Sequence, residues 1–263
     1  MTANDFRYMT SSTGTVEEDY EVERLGLTYR AGLPGHLEWS IELPLVSRGG
    51  GFQDPIIDWW HANILHWSDE RRNSTRFGRS TVSLPGSERF GSAAGLGDIS
   101  GFLSKSFGRW IWSVGLKLPT GDSSKLLGSG NVDLGLSIEG SFPICRKLTL
   151  FGQIAGILQG NAKRLSGTRD FVHQEALSLV LQPNGRDAWI AQWQGEASAL
   201  ETGVPGSDAT HRLLTFGYQR RLSERQRLDL YFSEDRDVFN GKIPEGANVG
   251  PDFTMGVRIS YRF

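Results

Sequence analysis

Five histidines, His36, His61, His66, His173 and His211, are the first places to look for chemistry. None lies in an HExxH or another metal-ligating spacing. His61 and His66 are five residues apart, a poor match to one helical face. No serine occupies a GxSxG elbow. Ser178 and His173 are the available hydrolase pair, but their odd separation puts them on opposite sides of a strand. The glycine-rich stretches "RGGGF" and "GSGN" lack the lysine and serine of a phosphate loop and suit tight backbone geometry instead. The single cysteine, Cys145, sits beside Arg146 and Lys147 and excludes an intrachain disulfide or a cysteine metal cluster. No cofactor is implied, and the chain reads as a non-enzyme.

The remaining chemistry is charge, and it recurs with period two. Arg24, Arg30, Glu38, Glu42, Lys117, Asp133, Glu139, Glu196, Asp229, Arg258 and Arg262, together with Glu23, fall in or beside segments whose other residues are apolar. In "VDLGLSIEG", Val132, Leu134, Leu136 and Ile138 oppose Asp133, Gly135, Ser137 and Glu139. In "FTMGVRISYRF", Phe253, Met255, Val257, Ile259, Tyr261 and Phe263 oppose Thr254, Gly256, Arg258, Ser260 and Arg262. "LEWSIELPL", "WIAQWQGE" and "LDLYF" repeat the pattern, which is the signature of strands with one apolar face. Such a face can be the core of a soluble sandwich or the lipid-facing surface of a membrane barrel.

The connections favour the barrel. Short turns such as "PNG" and "FGR" alternate with long segments such as "LPTGDSSKLLGSGN" and "SEDRDVFNGKIPEGANVGP". Trp110, Trp112, Trp189 and Tyr261 collect near strand ends, and no β-α-β unit is present. No apolar run approaches the roughly 18–20 residues of a membrane helix. "MTANDFRYMT" carries no recognisable export signal. The near balance of 28 Lys+Arg against 30 Asp+Glu gives no reason to expect nucleic acid. The expected fold is therefore all-β: a transmembrane antiparallel β-barrel of about twelve strands in one domain over 1–263. The strands fall near 18–33, 36–47, 96–107, 109–118, 130–142, 146–159, 169–182, 187–199, 210–222, 226–236 and 251–262, with "DFRYMTS" as the twelfth. Inner turns are expected at Pro34-Gly35, Phe107–Arg109, Phe142–Arg146, Pro183–Arg186 and Leu222–Arg225.

Residues 48–95 stand apart as a folded excursion on the outer side. "IIDWWHANILHW" places Ile56, Ile57, Trp60, Ile64 and Trp67 on a helical stripe with Asp58 and His61 on its flank. It is too short to span a membrane. It would cap the barrel, lie at the interface, or act as a plug, with Asp54, Asp58, Trp59, Trp60, His61 and Trp67 as gate candidates.

"GGGFQDPIIDWWHANILHW", "GLGD" at Gly95–Asp98, "LKLPTGD" at Leu116–Asp122, "LLGSG" at Leu126–Gly130 and the terminal "YRF" resemble the DUF3187 family of bacterial outer-membrane proteins. "GLGD" and "LKLPTGD…GSG" are similar also to elements of other outer-membrane barrels, including transporter-like and phenol-degradation proteins. Asp54, Ile57, Asp58 and His61 match the look of the family's helix, while Trp59 and Trp60 make it bulkier. The resemblance implies a bacterial outer-membrane location and no established activity. It also implies that Tyr261 and Phe263 form the terminal signal read by the barrel-assembly machinery. The partners expected are outer-membrane lipid and lipopolysaccharide, that machinery during biogenesis, and a small-molecule solute. The expected role is passive, either solute passage or envelope structure. A membrane-embedded lipid-acting enzyme and a soluble barrel binding an apolar ligand remain as alternatives.

Overall fold

A computed structural model describes residues 1–66, 77–204, 206–235 and 253–263. In chain order the strands are β1 (Thr2–Ser11), β2 (Gly14–Leu33), β3 (Leu37–Gly49), β4 (Thr81–Ser83), β5 (Arg89–Phe90), β6 (Ala93–Leu96), β7 (Ile99–Phe107) and β8 (Trp110–Leu118). They continue as β9 (Asp133–Cys145), β10 (Leu148–Leu158), β11 (Phe171–Leu181), β12 (Asp187–Glu196), β13 (His211–Arg221), β14 (Gln226–Asp235) and β15 (Phe253–Tyr261). One helix, α1 (Asp54–Trp60), runs into a π turn at His61–Leu65.

Twelve of these strands close a ring, β1-β2-β3-β7-β8-β9-β10-β11-β12-β13-β14-β15. Every neighbour is antiparallel, and β15 returns to β1 through Thr2↔Met255, Ala3↔Thr254 and Asn4↔Phe253. Closing the ring pairs the edges that hydrocarbon cannot satisfy; β1 accompanies β2 only as far as Thr2↔Glu23, so among the described residues 25–33 are paired on their β3 side alone. The expected count of twelve is met. The segment 74–84 adds no spanning strand: its described part supplies β4, which continues the sheet beside upper β2 through Glu17↔Ser83 and Asp19↔Thr81.

Period two sets the faces. Leu25, Leu27, Tyr29, Trp39, Ile41, Leu103, Trp112, Val114, Leu134, Leu136, Ile154, Leu177, Phe216, Leu230, Val257 and Ile259 point outward and are all exposed. No soluble core would leave such a belt open, and it matches the apolar band of a membrane barrel. Aromatic pairs ring its short-turn end: Tyr29–Trp39, Trp110–Phe142, Trp189–Tyr218 and Tyr261–Phe263, with centroids 5.4, 5.5, 4.8 and 5.1 Å apart. Amphipathic rings favour the membrane–water boundary. Among the described residues, no helix is long and apolar enough to cross a membrane.

The turn expected at Phe142–Arg146 is shorter than read, because β9 continues to Cys145. Pro143 sits where the register to β10 shifts between Leu148 and Thr149. A bulge tolerates a residue without an N–H, so the proline bends the strand instead of ending it.

Candidate functional site

The inner wall carries the polar set. On β2 and β3, Arg24 reaches Glu42, and Arg30 Nε lies 3.3 Å from Glu38 Oε1. On β14 and β15, Asp229 takes Arg258 Nε at 2.7 Å and Arg227 Nε at 3.4 Å. Glu196 lies 3.4 Å from Nδ1 of the buried His211. Glu139 faces inward opposite Ile111 and Gln153. The chain of Arg262 donates to Arg225 O at 2.8 Å, closing the last bond at the short-turn rim. Glu23 differs from the sequence expectation: it shares its face with Leu25 and Leu27, because the register of β2 is unbroken from Glu21 to Leu33.

Phe102 shows that this interior is wet. It faces inward from β7, between Ser40 and Gly115, yet is 42% exposed. A lumen filled by side chains would bury it. The Arg30–Glu38 pair, with side chains 64% and 43% exposed, is likewise hydrated. Arg30→Gln should therefore lower stability by less than about 1 kcal/mol in chemical unfolding of the refolded barrel. A loss of several kcal/mol would mean the pair is shielded.

The opposite regime holds where "GLGD", "LKLPTGD" and "GSG" meet. Lys117 Nζ lies 2.6 Å from Asp133 Oδ2, 3.3 Å from Asp98 Oδ2 and 2.6 Å from Ser129 Oγ. Asp98 accepts the N–H groups of Gly121 and Ser129, at 2.9 and 3.0 Å, and Asp133 accepts Gly160 N–H at 3.0 Å. One lysine thus ties the connections 119–132 and 159–170 to the tops of β7, β8 and β9. Gly128 lies so close that a Cβ would collide with the Asp98 carboxylate. The motifs are a structural knot at the outer rim, and Asp98 and Ser129 are the members that charge counting overlooked.

Above the knot the outer mouth is covered. Val16, Val82, Leu84, Phe90, Leu200 and Val204 form a buried apolar cluster, joined by Met9, Tyr20, Leu126 and Leu165. These residues come from the β1–β2 hairpin, the 77–96 segment and the connections after β8, β10 and β12. Thr13 Oγ1 donates to Gly203 O at 2.6 Å, Ser166 Oγ donates to Pro85 O at 2.8 Å, and Thr168 bridges to Leu200. Arg48 pins the near side, donating to Gly91 O at 2.8 Å and Lys125 O at 2.9 Å. These partners arise on strands well separated around the ring, so the contacts form a lid.

One part of the lid is acid-sensitive. Burial acts to raise the Asp208 carboxyl, but hydrogen bonds from Thr202 N–H and Oγ1, Gly203 N–H and Ser207 Oγ outweigh it and hold the group below the usual carboxylate range. A depressed pKa stabilises the folded loop above the ordinary carboxylate value, and this stability is lost as pH falls through the depressed value. Protease cleavage within 197–210 should rise at about pH 3 relative to pH 7 in the native protein. Asp208→Asn should flatten that difference.

The excursion is tethered at its neck. Glu21, on the outward face of β2, accepts N–H groups of Phe52, Gln53 and Asp54 at 2.9, 2.5 and 3.1 Å. Asp54 Oδ2 accepts Gly78 N–H at 3.2 Å, and Gly50 packs so tightly on Gly78 that a Cβ has no room. Asp54 is buried, Asp58 half-buried and Trp59 exposed; none of the three belongs to the lid cluster. The backbone of Trp60 and His61 continues α1 into the π turn, and Trp67 lies outside the described residues. The stripe expected as one helix is therefore split between an α and a π segment.

Hydrolase geometry is not formed by Ser178 and His173. Ser178 faces inward and donates to Gln192 Oε1 at 2.8 Å, while His173 faces outward, 3.8 Å from Glu175. Among the described residues, no group of three or more His, Cys, Asp or Glu could hold a metal ion.

A family model described as a protein of unknown function (DUF3187) matches residues 7–263. The chain belongs to the DUF3187 family. This member is an outer-membrane β-barrel, in keeping with its closed ring and apolar belt. No match was found among curated proteins. Among solved structures, this DUF3187 chain is similar to the COG4313 outer membrane channel from Pseudomonas putida F1, at 14% identity and a TM-score of 0.59, over 99% of this chain and 91% of that one. The P. putida toluene transporter TodX is 13% identical, with a TM-score of 0.46, over 83% and 64%. The Ralstonia pickettii toluene transporter TbuX is 9% identical, with a TM-score of 0.45, over 84% and 64%. At these identities the first likeness shows the fold alone.

Proposed function

We propose that this barrel is a passive, gated channel for small polar solutes, and that the lid over its outer mouth is the gate. One juxtaposition carries the reading: a hydrated, polar inner wall lies directly beneath a dry apolar cap. A purely structural barrel has no need of a wet interior, and an open pore has no need of a cap. The helix segment contributes by holding the lid. Glu21 and Asp54 fasten its neck to β2 and to Gly78, so Asp54 serves the gate by restraining 77–96, and Asp58, Trp59, Trp60, His61 and Trp67 are proposed to act in the same gate. The inward charges Arg24, Arg30, Glu38, Glu42, Glu139, Glu196, Asp229 and Arg258 line the path, and Lys117 and Asp133 brace its rim.

The same reading takes lipopolysaccharide as the lipid of the outer leaflet. It takes Tyr261 and Phe263, exposed side by side at the short-turn rim, as the mark recognised by the assembly machinery.

Planar-bilayer recording of protein refolded in detergent tests the channel. Discrete current steps that lengthen after limited proteolysis of the outer loops are expected. A barrel that stays heat-modifiable yet passes no potassium or chloride after its lid is cleaved would overturn the proposal.

A further inference from the structure

The inner wall is chemically divided. Its charges on β2, β3 and β7–β9 are largely paired with one another, as Arg24–Glu42, Arg30–Glu38 and Lys117–Asp133. Across from them, β10–β12 present mainly neutral amides and hydroxyls, with the Glu196 carboxylate at the outer end of the row. Ser178 Oγ donates to Gln192 Oε1 at 2.8 Å, Gln192 Nε2 donates to Gln194 Oε1 at 3.2 Å, and Gln194 Nε2 donates to Glu196 Oε2 at 3.2 Å. Gln174 stands opposite Glu196 on the neighbouring strand, and Phe151 stands opposite Ser178. The two central glutamines and Phe151 are half-buried, so each keeps a surface toward the lumen.

Resting on the channel reading, we infer that this amide ladder is a binding track for neutral, hydroxyl-rich solutes of monosaccharide size. An amide group has two N–H donors and two acceptor lone pairs. Gln192 and Gln194 each spend one of each along the ladder, leaving a donor and an acceptor for a ligand. A hydroxyl both donates and accepts, so it satisfies that remaining pair with no charge to desolvate. Alternate residues on one strand are about 6.8 Å apart, close to the width of a sugar ring. The Phe151 ring beside Ser178 supplies an apolar surface for the C–H face of such a ring. An ionic solute gains less. On the β2–β3 and β7–β9 side most charges are already paired, and breaking a pair leaves one partner unmatched. An apolar solute would strip the amides of water and return no hydrogen bond.

Proteoliposomes carrying a Val204→Asp lid variant provide the test, with swelling measured in glucose, gluconate and glucosamine, three solutes of one size. Glucose should enter about tenfold faster than either charged analogue. Adding Gln192→Leu and Gln194→Leu should slow glucose roughly five- to tenfold, the effect of about one lost neutral hydrogen bond. Heat-modifiability should be unchanged, and entry of gluconate and glucosamine should fall less than that of glucose. The single change Gln192→Glu keeps the shape of the side chain and should move the preference toward glucosamine. Equal rates for the three solutes, or glucose entry unaffected by either set of substitutions, would overturn the track while leaving the channel standing. No conductance and no swelling in the lid variant would remove the channel reading itself, and the track with it.

Discussion

Val204→Asp is expected to open the outer mouth. Val204 and Val16 are 1% and 0% exposed at the centre of the lid cluster, contributed by the β12–β13 connection and the β1–β2 hairpin. An unpaired carboxylate there has no cation within the apolar cluster, and burying it costs several kcal/mol. The cheaper course is for the lid to lift, exposing the new charge to water. At about 1.4 kcal/mol per tenfold, the closed-to-open ratio should fall on the order of 100-fold. The barrel does not depend on the cap, because its strands are closed by their own ladders. Heat-modifiability should persist while the open fraction in planar bilayers rises to near saturation. Val16→Asp, on a separate element, should reproduce the effect, and Val204→Ala should give a weaker version through about 2 kcal/mol of lost packing. If both aspartate variants fold and stay as closed as the wild type, the cluster is not the gate.

Different parts of the molecule were unequally legible in the sequence. The spanning strands were clear because lipid imposes a strict rule: each alternate residue must be apolar over the whole belt, as from Leu25 to Leu33 and from Leu134 to Ile144. Long and short connections then gave the sidedness. The same parity misplaced Glu23, which sits above the belt where parity no longer separates lipid from lumen. The lid was not legible. Val16, Val82, Leu84, Phe90, Leu200 and Val204 are scattered over three distant segments with no shared period, and only the closing of the ring brings them together. The helix stands out by its tryptophans, although the cap is built mainly from aliphatic side chains on short strands and connections. The knot was half visible: "GLGD" and "LKLPTGD" stood out as motifs, but nothing local says that Asp98 and Lys117 meet.

That knot carries the other large effect. Lys117→Met is expected to destabilise the protein by about 3–5 kcal/mol, the usual cost of removing one partner from a shielded ion pair. Asp98 and Asp133 have side chains only 8% and 13% exposed, and Lys117 is 24% exposed, so water replaces the ammonium poorly. Both carboxylates keep backbone N–H partners from Gly121, Ser129 and Gly160, which places the expected cost toward the lower end of that range. The damage should be local. Connections 119–132 and 159–170 should become protease-sensitive, the lid should loosen through Leu126 and Leu165, and the barrel below should remain heat-modifiable. Lys117→Met combined with Asp133→Asn should recover more than half of the loss, because it removes one of the two stranded charges. Gly128→Ala should mimic the single variant without altering any charge, since its new Cβ displaces the Asp98 carboxylate. Chemical unfolding of the four proteins decides the matter. A Lys117→Met loss as small as that of Arg30→Gln would show that the rim is as wet as the lumen, and the motif would then need another explanation than a dry ion knot.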